Sequence, residues 1–288
     1  MSRHAWKNGL RIALNTAGVG IRKMFRSVNF YALLFFALLF WFLFDWNIKC
    51  LAADYSCGIT PYLLPLFYAD TTYCNYGLLM IVLVTCGAPF LDNSRLFTLQ
   101  RAGCLPWSIG QMLYIFLANL IFQGVMVLVQ VLTVLPWITI SDKWGNVIYT
   151  VATIPEMLDS YHGFGSYNAN VVLGMGALEA MGKQIVLCTL LGSVIGVVVF
   201  LINGLLRRSI GAIIAAAGAL LTGYLNWADD IWGWSTSQWL PYNWVSLDYY
   251  VDGTFDFGTN VVRLVAAFLV LAVVACVCVK KGMIRTTE

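Results

Sequence analysis

The chain has 288 residues, of which 60% are hydrophobic and only 11% charged, whereas an ordinary soluble domain carries about 25% charged residues. So few charges cannot cover a water-facing surface, and a formal net charge of +3 argues against a nucleic-acid binder or a polybasic tail protein. A mean hydropathy of +0.78 and 11 Trp fit an all-α integral membrane protein with two lipid–water interfaces to anchor.

The first predicted element is a helix over 4–26. Trp6, Leu10, Ala13, Leu14, Ala17 and Ile21 recur every three or four residues among Lys7, Arg11, Arg22 and Lys23. That pattern predicts an amphipathic helix in the inner interface; a basic leader that only sets topology is the alternative. A membrane span needs about 20 mostly apolar residues, and six segments qualify, at 28–45, 76–91, 109–138, 185–206, 209–227 and 261–279. The second is short and begins after Cys74 and Asn75. Between spans two and three, residues 91–101 predict an inner helix that Gly103 and Pro106 end, with Leu96, Phe97 and Leu99 apolar beside Arg95, Gln100 and Arg101. Such a helix docks on a partner or on the protein's own inner ends.

The outer loop 139–182 is too long for a simple connection and predicts short helices at 155–159 and 173–184 around a Gly/Ser/Tyr/Asn-rich turn. Spans four and five meet at Arg207 and Arg208, a pair too costly to leave in hydrocarbon, so the chain turns there. Before span six, residues 227–258 carry five Trp and five Asp. Within them 237–247 reads as a short helix dipping into the outer leaflet or as an aromatic surface for an external ligand.

Charge orients the spans. With both ends inside, the cytoplasmic segments hold thirteen bases: Arg3, Lys7, Arg11, Arg22, Lys23, Arg26, Arg95, Arg101, Arg207, Arg208, Lys280, Lys281 and Arg285. They hold only Asp92 and Glu288 as acids. Basic inner loops decide topology, so both termini are expected in the cytosol. No cleavable leader is expected, since residues 1–26 lack a continuous apolar stretch.

Catalytic motifs are not evident. The nearest approach to an ATP-binding loop, ALEAMGKQ at 177–184, lacks the first Gly and the final hydroxyl. His4 and His162 fall on opposite sides of the membrane, which rules out a shared catalytic or metal site. Cys86, Cys188, Cys276 and Cys278 read as small core residues within spans. Cys50, Cys57 and Cys74 read as outer-loop residues able to form one disulfide of undecided pairing. No charge is expected deep in a span. The neutral polar groups Asn119, Gln123 and Gln130 share one face of span three, and Asn203 lies in span four. Inter-helix hydrogen bonding and contact with a transported ligand both fit that pattern. Gly192 and Gly196, and the stripe Gly211, Ala215, Gly218 and Thr222, permit close helix approach within the subunit or at a dimer seam.

Taken together, these features resemble the permease subunit of a type-2 ATP-binding cassette (ABC) exporter over the whole chain, 1–288 as one transmembrane domain. Two segments are similar to family elements: FTLQRAGCLPWSIGQ at 97–111, to the coupling helix running into span three, and WLPYNW at 239–244, to the segment before span six. The long 139–182 loop exceeds the usual design. The resemblance implies a cytosolic ATPase partner that carries ATP and Mg, none being bound by this chain. It assigns Arg95, Leu96, Phe97, Leu99, Gln100 and Arg101 to ATPase coupling. It also implies a second permease copy or paralogue and a bacterial cell membrane. Its cargo would be amphipathic or hydrophobic, such as an antimicrobial peptide or drug. An ATPase-independent secondary transporter and a membrane-anchored sensor or assembly protein are the rival readings.

Overall fold

The computed structural model describes residues 3–87, 103–158, 161, 165–206, 210–232 and 239–283. Among the described residues the chain is all-helical, with one isolated bridge between Ile59 and Ile138 in place of any strand. Helices α2 (Val28–Asp54), α5 (Cys104–Thr133), α8 (Ala177–Leu206) and α11 (Phe257–Lys280) are long and apolar enough to cross a membrane. Helix α4 (Thr71–Thr85) and the 210–226 stretch of α9 (Ile210–Trp232) are apolar but shorter. Each of the six predicted spans thus has a helix at its position. Their bounds move outward in α2, which runs nine residues past its expected end.

Helix α1 (Arg3–Arg26) forms as expected but not with the expected faces. Ala13 and Ala17 are buried while Leu10, Leu14 and Val19 are exposed, so the stripe read as one lipid face is divided. The buried side is made of small residues seated on α5. Gly9 meets Pro106, Gly110 meets Ala13 and Thr16, and Gly20 meets the Tyr114 ring. These contacts advance together along both helices, so α1 follows α5 for three turns instead of crossing it at one point. The expected amphipathic helix is thus packed on the chain's own α5 along this face. Ser27 then bends the chain in extended backbone. Its hydroxyl donates to the Met24 carbonyl at 2.7 Å and accepts from the Phe30 N–H at 3.2 Å, closing α1 and opening α2.

At 27 residues, α2 spans about 40 Å, more than the roughly 30 Å of hydrocarbon in a bilayer. Its C-terminal half carries a cluster of Trp41, Phe44, Phe67, Tyr73 and Tyr167 rings. Around it fold α3 (Leu64–Ala69), the turn Leu135–Trp137, α6 (Gly145–Thr153), the turn Pro155–Leu158 and α7 (Ala169–Gly174). Of these elements, α6 is unexpected and the predicted 173–184 helix is divided between α7 and α8. Side chains bind the layer: Tyr167 donates to the Phe44 carbonyl at 2.7 Å, Thr60 to the Trp144 carbonyl at 2.6 Å, and Trp144 to the Met175 carbonyl at 2.8 Å. Asp70 caps α4 by accepting from Thr72 and Tyr73, and accepts from Ser166 as well. Helix α8 is the most enclosed of the long helices and α11 the least.

The predicted 237–247 helix before α11 is shorter among the described residues. Pro241–Val245 forms a short helical turn whose Asn243 and Val245 are buried against the chain itself, with Trp239 left exposed. Helix α10 (Asp248–Val251) follows it. All eight cysteines are free, and Cys74 lies buried in α4 rather than in an outer loop.

Candidate functional site

The amides of α5 turn inward together, as their spacing predicted. Asn119, Gln123 and Gln130 are each 0% exposed. Asn119 donates from Nδ2 to the Ile115 carbonyl at 2.9 Å, one turn back. Its Oδ1 abuts Gly192 of α8, where any Cβ would collide with it. Gly196 is in the same way pressed on Ile115 and Thr85, so these two glycines serve packing between α8, α5 and α4. The Gln123 amide lies beside the Tyr68 hydroxyl, which also neighbours the Cys188 thiol. Gln184 donates from Nε2 to the Val245 carbonyl and to Cys188 Sγ, both at 3.0 Å.

This seam is under-satisfied by the protein. Asn119 Oδ1, both polar atoms of Gln130, Gln184 Oε1 and Thr189 Oγ1 have no protein hydrogen-bond partner. A buried polar atom without a partner costs about 1–3 kcal/mol. Such groups are kept where they bind water or a polar group of a ligand. Beside Tyr68 lies a polar cavity of about 60 Å³, lined by Cys74, Asn75, Asn226, Asn243, Ser246 and Asp248 among others. Asn226 and Asn243 close one wall by a reciprocal amide pair at 2.8 and 2.7 Å.

Among the described residues, one charged pair is buried, against expectation. Asp45 and Lys49 of α2 form an ion pair at 2.6 Å with both side chains enclosed. Lys49 also stands over the Phe42 ring at 4.5 Å. Their i, i+4 spacing is the ordinary helical ion-pair spacing. That spacing was the available signal; Asp45 read as the end of span one because the helix was expected to stop there. Elsewhere, Tyr161 donates to Asp54 at 2.6 Å, and the neighbouring carboxylate pushes that phenol up to about 12. Asp256 caps α11 by accepting from Thr259, which holds its carboxyl below the ordinary value.

The remaining predicted residues fall as follows. Arg95, Leu96, Phe97, Leu99, Gln100 and Arg101 lie outside the described residues. Asn203 is structural: its Oδ1 accepts from the Gly211 N–H at 2.8 Å and its Nδ2 donates to the Cys86 carbonyl at 3.4 Å, fixing the start of α9. The stripe on α9 faces inward. Gly211 meets Val199 and Asn203, Gly218 meets Tyr242, and the Ala215 carbonyl accepts from Tyr242 at 3.0 Å. Thr222 is buried with its hydroxyl on the Gly218 carbonyl. The chain's own residues therefore occupy the face read as a dimer seam, and Ile213, Ile214, Leu220, Leu221 and Tyr224 form the exposed one.

No known family, characterised protein or solved structure matches this chain.

Proposed function

We propose that the protein is the membrane-spanning subunit of an ATP-driven exporter of the ABC type-2 kind, which recruits a separate cytosolic ATPase. The observation that carries this reading is the joint pattern of apolar helices and charge. Helices α2, α4, α5, α8, α9 and α11 serve as six crossings, and thirteen of the 17 basic residues gather on the side that holds both termini. The segment between α4 and α5 is the ATPase dock, with Leu96, Phe97 and Leu99 as its apolar contacts and Arg95, Gln100 and Arg101 as its polar ones.

A single subunit then forms half of a path, completed by a second copy or a paralogue. The inward amides of α5 and the glycine contacts of α8 favour a subunit that moves as one packed body, with the path between halves opening by rigid-body shifts. A largely apolar lining suits an amphipathic or hydrophobic cargo, such as a membrane-active peptide or drug, in a bacterial cell membrane. Co-purification tests the reading. The chain should bring down a cytosolic ATPase, and the Leu99→Asp, Arg101→Asp double variant should lose it while keeping the membrane fold. Full ATPase stoichiometry in that variant would remove 91–101 as the dock. Purification without any ATPase would remove the exporter reading.

The buried Asp45–Lys49 pair favours a second reading, a transporter coupled to protons instead of ATP, since enclosed ionisable pairs serve as proton sites in membrane transport. Transport abolished by Asp45→Asn in proteoliposomes that lack ATP would establish it.

A further inference from the structure

Helices α5 and α11 leave an apolar groove of about 720 Å³ between them. On α5 it is lined by Leu105, Ile109, Leu113 and Phe116, which share one face at three- and four-residue spacing. On α11 its wall runs from Phe268 through Ala272 and Cys276 to Lys280. The two ends differ in kind. Phe116 and Phe268 stand 6.5 Å apart between ring centroids and close one end. Lys280, exposed and in no ion pair among the described residues, stands at the other.

Length selects the occupant. Twelve residues of α11 advance about 18 Å, close to one leaflet of a hydrocarbon core roughly 30 Å thick. A transmembrane helix of a second copy needs a seam running through both leaflets, whereas this groove stops at the phenylalanine pair. An acyl chain whose headgroup sits at the membrane surface matches a dead-ended apolar slot with a cation at its mouth. Lys281 adds a second exposed positive charge beside it. Basic positions at the ends of apolar clefts between helices attract anionic headgroups.

We propose that this groove is a binding site for one anionic phospholipid of the leaflet on the Lys280 side, its chain between α5 and α11 and its phosphate on Lys280. The inference rests on α5 and α11 crossing the membrane and is independent of any ATPase partner. The chain would be held by apolar burial and the headgroup by a partly screened charge pair. The half-buried Cys276 on its wall is a native reporter of what lies there.

The test uses the full chain in nanodiscs of phosphatidylcholine, alone or mixed with phosphatidylglycerol, followed by native mass spectrometry. The wild-type chain is expected to retain one phospholipid that survives release and to retain phosphatidylglycerol in preference. Ala272→Trp fills the groove and should lose that lipid. Val273→Phe, on the exposed wall, is the alternative filling variant should the tryptophan impair folding. Lys280→Gln should keep a bound lipid but lose the headgroup preference, and raised salt should weaken that preference in the wild type. Equal lipid retention in wild-type and filled variants, or unchanged preference in Lys280→Gln, would overturn the proposal. So would efficient oxidative crosslinking of Cys276 between two copies, because it would put a second chain in the groove.

Discussion

Gly110 of α5 tests how tightly α1 is seated. A Cβ added there would lie 2.7 Å from the Ala13 carbonyl oxygen and 2.7 Å from Thr16 Cβ. Neither neighbour gives way cheaply: one is backbone, and the other is a β-branched side chain whose hydroxyl donates to the Ile12 carbonyl at 2.9 Å. Gly→Ala inside a helix ordinarily gains about 1 kcal/mol from propensity, while overpacking a close contact costs about 1–3 kcal/mol. Gly110→Ala should therefore lose its propensity gain and end destabilised by up to about 2 kcal/mol. Gly124, on the same helix, has no heavy atom within 4 Å of an added Cβ, so Gly124→Ala should keep the gain. Thermal unfolding of the two purified variants in one detergent measures the contrast. A gap of about 1–3 kcal/mol corresponds to several degrees, at about 2–4 °C per kcal/mol for a chain of about this size. Gly110→Ala as stable as Gly124→Ala would mean that α1 is loosely attached, and the small-residue contact would be refuted.

The two glutamines facing the seam should behave in opposite ways. Gln130→Met removes two atoms with no protein partner and should leave stability unchanged or raised, whereas Gln184→Met strips the Val245 carbonyl of its donor and should cost about 1–3 kcal/mol in denaturation. The Tyr161 phenol is raised to about 12, so its hydrogen bond to Asp54 persists through neutral pH and is lost as pH rises past that value; the wild-type minus Tyr161→Phe ultraviolet titration should show it. Asp256 has the opposite sign: its lowered folded value means that the cap stabilises α11 above pH 3.8 and is lost as pH falls through the folded value. The stability difference between the wild type and Asp256→Ala should vanish in acid. For topology, an impermeant maleimide should reach the exposed Cys104 only in inverted vesicles, and its labelling in intact cells would refute the six-crossing orientation.

How much of this was legible beforehand depended on whether the cause lay within a segment. The long helices were, because a backbone crossing lipid must satisfy its own hydrogen bonds and a run of about 20 apolar residues is the local mark of that. The common face of Asn119, Gln123 and Gln130 was legible for the same reason, since helical period alone aligns them. What that face meets was not. Only the neighbouring helices show that Gly192 presses on Asn119, that Tyr68 stands at Gln123, and that Tyr242 fills the α9 stripe read as a seam. Helix α6 carries no such local mark, because its β-branched residues have weak helical preference and it forms with Val147, Ile148 and Val151 buried in the core. An apolar helical bundle suited to a membrane, and the period of its faces, follow from the residues of single segments. Tertiary structure decided the partners of those faces, because burial, close approach and ion pairing depend on residues distant in the chain, whose arrangement no single segment carries.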